Sequence, residues 1–130
     1  MREEKLLNAL TDKTKVLAVS QVHYSTGTKL SLTKIGKICR ERNILFFVDG
    51  TQAFGATPTD LTYVDFYTAS TYKWLLSGFG LSLLVAKSDA QKKLTPAYIG
   101  HNGRILQYSH INYPAVWVLE SAISYFDQVG

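Results

Sequence analysis

The run Ile44-Leu45-Phe46-Phe47-Val48, closed at once by Asp49 and Gly50, restricts this chain more than any other stretch. A short, continuous apolar strand without polar alternation is buried on both faces. Burial on both faces calls for layers above and below, hence helices packed on a mostly parallel sheet. The rest of the sequence agrees, because strand-like and helix-like segments alternate along it. The expected class is α/β, a mostly parallel sheet with flanking helices, in a single domain over residues 1–130.

Residues 2–10 have the charge and apolar spacing of a short amphipathic helix. Residues 15–22 read as a strand, followed by the polar loop Tyr24-Ser25-Thr26-Gly27-Thr28. Residues 31–42 place Leu32, Ile35, Ile38 and Cys39 on one helical face, with Ser31 as N-cap and Asn43 as terminator. Residues 49–58 are rich in turn formers, and residues 64–69 read as another short strand. A loop with Trp74, Gly78 and Gly80 covers residues 73–80, then a strand over 81–86 and a capped helix over 88–94. Residues 95–111 read as irregular. Residues 114–128 read as a helix with Pro114 in its first turn and Gly130 beyond it. Right-handed crossovers put the loops after Val22, Val48 and Ala69 at the carboxyl edge of the sheet, where open α/β sheets bind ligands.

A hydrophobic content of 46% with 18% charged residues describes a globular chain and argues against disorder. Eight tyrosines and six phenylalanines are many for 130 residues, which suggests apolar surface that belongs against a further domain or a partner subunit. The net charge of +4 is scattered rather than gathered in a basic stripe, so no nucleic-acid partner is expected. Mild basicity does suit an anionic ligand such as a phosphate. Cys39 alone excludes an intrachain disulfide, and the chain reads as cytoplasmic. No apolar run approaches a membrane span, and the charged start Met1-Arg2-Glu3-Glu4-Lys5 lacks the apolar core of a signal peptide. No metal site is expected.

The candidate chemistry falls on the three carboxyl-edge loops. Asp49 follows a buried strand, Gln52 sits three residues on and turned to the same side, and Lys73 ends the next strand between Tyr72 and Trp74. Taken singly, each has a bland explanation: a turn aspartate in an Asp-Gly pair, a surface glutamine and a solvated lysine. Taken together, a carboxylate, an amide and an amine at these spacings suit holding pyridoxal phosphate. Asp49 would sit on the pyridine nitrogen and favour the protonated, electron-withdrawing ring. Gln52 would donate to the phenolic oxygen or orient Lys73. Lys73 would form the Schiff base, its amine eased towards neutrality by aromatic, partly desolvated surroundings. Ser70, Thr71 and Tyr72 offer hydroxyls to phosphate oxygens.

The segments Val-Asp-Gly-Thr-Gln-Ala, Ser-Thr-Tyr-Lys and Gly-Phe-Gly closely resemble the class V aminotransferase and cysteine desulfurase group of fold-type I enzymes. The resemblance covers about residues 15–130. It implies the large-domain fold, pyridoxal 5'-phosphate as cofactor on Lys73, an amino-acid substrate and a homo-oligomer, most simply a dimer. In the lysine loop of that group, Ser-X-His-Lys precedes a glycine-bearing turn; Ser70 and Lys73 fit, whereas Tyr72 stands where histidine is usual. Tyr24 occupies the position of an asparagine that touches the cofactor ring oxygen, with His23 beside it as either a site residue or a sheet-edge histidine. The stretch Tyr108-Ser109-His110-Ile111-Asn112-Tyr113-Pro114 resembles the later Gly-Thr-X-Asn segment, whose threonine reaches the phosphate of the partner subunit's cofactor. Asn112 fits there, and His110 is either a phosphate donor or an ordinary loop residue.

Members of the group are several times longer. Their upstream part brings a phosphate-binding turn and a ring-stacking side chain, and their small C-terminal domain brings an arginine for the substrate carboxylate. The chain is therefore expected to be the central part of a large domain, without the small domain. Cys39, on the helix over 31–42, is expected to be a buried apolar residue rather than a sulfur acceptor. Two functions remain open: a transferase or lyase acting on an amino acid, and a non-catalytic or truncated domain that works through association with a partner. Nucleic-acid binding is a third and weaker reading.

Overall fold

A computed structural model describes residues 3–100, 106 and 110–129. In chain order the elements are α1 (Glu3–Asn8), β1 (Val16–Ser20), α2 (Leu32–Glu41), β2 (Leu45–Asp49), β3 (Phe66–Ser70), β4 (Ser82–Ala86), α3 (Ser88–Gln91) and α4 (Tyr113–Val129). The four strands form one sheet in the order β1-β2-β3-β4. The first three are parallel, with Val19 opposite Val48 and Val48 opposite Tyr67. β4 runs antiparallel to β3, with Tyr67 opposite Val85. The expected α/β class and mostly parallel sheet are what is found.

α2 shows how local chemistry sets an element. The Ser31 hydroxyl accepts from the Lys34 N–H at 3.3 Å, a side-chain N-cap. At the other end Asn43 adopts the left-handed φ of 54°. Its N–H reaches the Arg40 carbonyl, and that of Ile44 reaches the Cys39 carbonyl. This pair of bonds is a Schellman termination, with asparagine in the place glycine usually takes. The capped helix presents Leu32, Ile35 and Cys39 to the sheet, against Leu17, Phe46, Val48, Tyr67 and Ala69. Gly36 lets α2 come close: a Cβ there would lie 2.5 Å from the Tyr63 Cβ.

Three expectations need correction. Along β2 burial alternates: Phe46 and Val48 are fully buried under α2, while Leu45 and Phe47 on the second face are half-buried. On that second face Phe47 stacks on Phe66 at 6.1 Å, but the flanking Val16 and Leu84 are exposed. The helix expected over residues 88–94 is only the single turn of α3, because beyond it the N–H groups of Lys93 and Leu94 reach back three residues, to the Ala90 and Gln91 carbonyls, rather than four. The first strand ends at Ser20 rather than Val22. Beyond it the Gln21 N–H turns to the Asp49 carbonyl, and Val22 makes only an isolated bridge to Lys29.

α4 buries one residue, Ala115, and leaves Tyr113, Trp117, Val118, Ile123 and Tyr125 exposed. Cys39 is fully buried, as expected, and burial followed by the charge of Asp65 pushes its thiol up to about 11. Among the described residues no helix is long and apolar enough to cross a membrane.

Candidate functional site

Because β1, β2 and β3 are parallel, the loops that leave them share one edge of the sheet. A cavity of about 220 Å³ opens there, lined by Ser20, Val22, Tyr24, Asp49, Thr51, Gln52 and Lys73. It brings together four of the residues singled out in the sequence: Asp49, Gln52, Lys73 and Tyr24.

Asp49 is the last residue of β2. Its Oδ1 accepts the Thr51 N–H at 2.9 Å, an Asx turn that fixes the carboxylate. The other oxygen, Oδ2, has no hydrogen bond among the described residues, so it stays available to a ligand donor. Thr51 was missed in the sequence. Its hydroxyl oxygen accepts the Ser70 N–H at 3.2 Å and so ties the Asp49 loop to the end of β3. Below this turn, Gly50 sits directly on the Tyr67 ring: a Cβ at Gly50 would lie 1.8 Å from the Tyr67 hydroxyl oxygen. That hydroxyl donates to Gln21 Oε1 at 3.1 Å, and Gln21 Nε2 donates to Thr59. Gln21 is 1% exposed, so this network lies beneath the site as its floor. Burial raises the Tyr67 pKa; the Thr59 hydroxyl opposes that rise, and the charge of Asp49 adds to it.

Gln52 and Lys73 are joined through a third residue. The indole N–H of Trp74 donates to Gln52 Oε1 at 3.1 Å, which leaves the amide NH2 as the free donor group. Lys73 is half-buried between the exposed Tyr72 and Trp74. Its loop is held by buried Thr71, whose hydroxyl donates to the Leu81 carbonyl at 3.0 Å. Leu76 has the left-handed φ of 56°, a strained value for a side chain of this size.

The other sequence candidates lie elsewhere. Ser70 is half-buried and meets the site through its backbone N–H to Thr51. Tyr72 stacks on Phe79 at 4.7 Å. His23 lines a separate cavity of about 280 Å³ with Leu6 and Leu30, its Nδ1 within 3.2 Å of the Ser25 and Thr26 hydroxyls. It also stacks on Tyr24, at 5.3 Å. Asn112 caps α4, its Oδ1 accepting the Ala115 N–H at 3.3 Å, and His110 is exposed. Tyr108 and Ser109 lie outside the described residues. Chemically, the cavity offers one free carboxylate oxygen, one amide donor and one amine, the set that a protonated pyridine nitrogen, a phenolic oxygen and an aldehyde carbon require.

The sequence model of the family described as Aminotransferase class-V matches residues 1–119. A cysteine desulfurase of Rickettsia felis is 34% identical over 99 residues, 75% of this chain and 24% of the desulfurase. An isopenicillin N epimerase of Amycolatopsis lactamdurans is 37% identical over 93 residues, 70% of this chain and 23% of the epimerase. Among solved structures, a complex of the cystine C-S lyase C-DES with its product cysteine persulfide superposes with a TM-score of 0.85 at 26% identity. It covers 96% of this chain and 39% of the lyase. The matched stretch thus spans about a quarter of the length of these curated relatives.

Proposed function

The chain belongs to the aminotransferase class-V family, and from that premise we propose that it is the cofactor-carrying part of a pyridoxal-phosphate-dependent transferase or lyase acting on an amino acid. The observation that carries this reading is the convergence of Asp49, Gln52 and Lys73 on one cavity at the carboxyl edge of the sheet. When bound, pyridoxal phosphate would supply an electron sink for bonds at the substrate's α-carbon.

The chain's own residues divide the remaining work. Lys73 Nζ would hold the cofactor and would be the amine placed to carry a proton to or from a substrate's α-carbon. Asp49 would accept from the ring nitrogen through its unengaged oxygen. The Gln52 NH2 would donate to the ring oxygen, and Tyr24 is the residue of the loop after β1 that brings a hydroxyl to the cavity. Ser70, Tyr72, His110 and Asn112 remain proposed phosphate-side residues. None of them lines the cavity, so this role would need the rest of the cofactor site to be built around it. The name of one relative, a cysteine desulfurase, supports including cysteine in the proposed substrate range.

A second reading has its own support. α4 exposes Trp117, Tyr113 and Tyr125, which fits a domain that works through association, and most simply a homodimer.

The test is absorbance on mixing the purified chain with pyridoxal phosphate, followed by borohydride reduction and peptide mass mapping. We expect a visible band, label on Lys73 and loss of both in Lys73→Ala. Label spread over several lysines would overturn the cofactor role. A bound cofactor whose spectrum no amino acid changes would favour the second reading.

A further inference from the structure

At the opposite, amino edge of the sheet, where β2 and β3 begin and β4 ends, lies a larger cavity of about 570 Å³. The cofactor reading makes no use of it. Arg40, Lys87 and Lys93 line it together with Tyr63, Asp65 and Asp89.

The charges in this cavity are unevenly engaged. Arg40 donates to the Thr62 carbonyl at 3.1 Å and lies over the Tyr63 ring at 4.6 Å. Lys87 donates to the same Thr62 carbonyl. Lys93 donates to Asn43 Oδ1 at 3.4 Å. All three cations therefore donate to neutral acceptors, although the charge of Lys87 also reaches Asp60 and helps to lower its pKa after the bonds from Thr62 and Thr33. Among the described residues the two ion pairs are Lys34–Glu3 and Lys92–Asp89, and neither uses one of these cations.

Each nearby carboxylate is engaged through at least one oxygen. Asp89 is paired with Lys92 at 2.9 Å. Asp65 Oδ2 accepts the Phe46 N–H at 2.8 Å and so caps the start of β2. Nearby Asp60 accepts from the Thr33 hydroxyl and the Thr62 N–H. Two cations converging on one carbonyl repel each other, and an anion between them would relieve that repulsion. Arg40 keeps further guanidinium N–H groups beyond the one spent on Thr62, in the planar fork that matches phosphate oxygens.

We propose that the cavity bounded by Arg40, Lys87 and Lys93 is a binding site for a small phosphorylated metabolite, separate from the cavity around Lys73. Its volume exceeds that of a bare phosphate, so the phosphate lies against the three cations and the rest of the ligand occupies the space along Ser88 and Asp89. The site does not depend on the cofactor reading and stands or falls apart from it.

The test is an NMR titration of the chain with inorganic pyrophosphate, at an ionic strength held constant with sodium chloride. Saturable shifts at the amides of Asn43, Tyr63 and Lys87 are expected. Lys93→Ala should weaken the apparent affinity about two- to fivefold, the scale of one exposed charge contact, and Lys93→Glu should weaken it further. Arg40→Lys, which keeps the charge and loses the fork, should also weaken it. Lys93 is exposed and, among the described residues, bonded only to Asn43, so its variants will fold even if changes at Arg40 disturb the contact with Thr62. Shifts confined to residues 49–52 and 73, shifts reproduced by chloride alone, or an affinity unchanged in Lys93→Ala and Lys93→Glu would each overturn the site.

Discussion

The indole of Trp74 holds the amide of Gln52, Nε1 to Oε1 at 3.1 Å. The residue next to the proposed cofactor lysine thereby sets the orientation of the residue three after the proposed ring-nitrogen partner. An indole N–H can only donate, so the oxygen of Gln52 must face it and the NH2 must face away.

Trp74→Phe tests this link. The ring remains, the donor is lost, and the Gln52 amide becomes free to rotate. A hydrogen bond of this kind contributes about 1 kcal/mol, so affinity for pyridoxal phosphate should fall about fivefold. The thermal midpoint should move little, because Trp74 is 51% exposed. A spectrophotometric cofactor titration beside a melting curve separates the two effects. Unchanged affinity would show that Gln52 is oriented by something other than Trp74.

Gly50→Ala should be costly for a reason that has nothing to do with backbone freedom. The new Cβ would meet the Tyr67 hydroxyl oxygen at 1.8 Å and the ring carbon behind it at 1.9 Å. Tyr67 is 1% exposed and bonded to Gln21, so its ring has nowhere to swing. The expected loss is about 1–3 kcal/mol, the range for overpacking a core. Adding Tyr67→Phe should not recover it, because the ring carbon clashes as well. Urea unfolding of the single and double variants checks this, and full rescue by Tyr67→Phe would contradict the geometry.

Parts of this structure could be read from the sequence because their causes are local. Ser31 and Asn43 bracket α2 through their own side chain and backbone. The spacing of Asp49, Gln52 and Lys73 against two apolar runs places them on one edge once the strands are parallel. The floor of the site was not legible. Gln21, Tyr67 and Thr59 are distant in sequence and become a unit only through tertiary packing, while Thr51 acts on Ser70 across two strands. The direction of β4 did leave a trace. The eleven residues between Ser70 and Ser82 carry no helix and are too few for a parallel crossover of a dozen or more, so the strand must return antiparallel. Continuous hydrophobicity in β2 reports a need for two covered faces, but the described residues cover only one of them fully.

Gly36→Ala sets two effects against each other. Alanine in a helix interior is favoured over glycine by about 1 kcal/mol. Here the added Cβ would lie 2.5 Å from the Tyr63 Cβ and 2.7 Å from the Tyr63 carbonyl oxygen. Backbone cannot step aside as a side-chain tip can, so α2 would have to lift from the segment before β3. The clash should win, for a net destabilisation of about 1–2 kcal/mol. A denaturation midpoint higher than that of the parent chain would show that α2 packs less closely than described.

Cys39 should make the fold sensitive to alkali. Its thiol is raised from an ordinary value of 9.0 to about 11, first by burial and then by the charge of Asp65. Below pH 9 it is protonated whether the chain is folded or not, and its contribution to stability is complete. Between the two values the unfolded chain releases a proton that the folded chain retains, so stability falls as pH rises; above pH 11 the contribution is gone. Two pH units correspond to about 3 kcal/mol at most. Tyr67, whose pKa is also raised by burial, acts in the same direction above its ordinary value of 10.0. Urea unfolding at intervals from pH 8 to pH 11 should show this decline in the parent chain and a shallower one in Cys39→Ala. The alanine variant itself should be weaker at neutral pH by about 1 kcal/mol, since it leaves a small void beside Ile35 and Phe46. Parallel pH profiles for the two chains would mean that the thiol is not the titrating group.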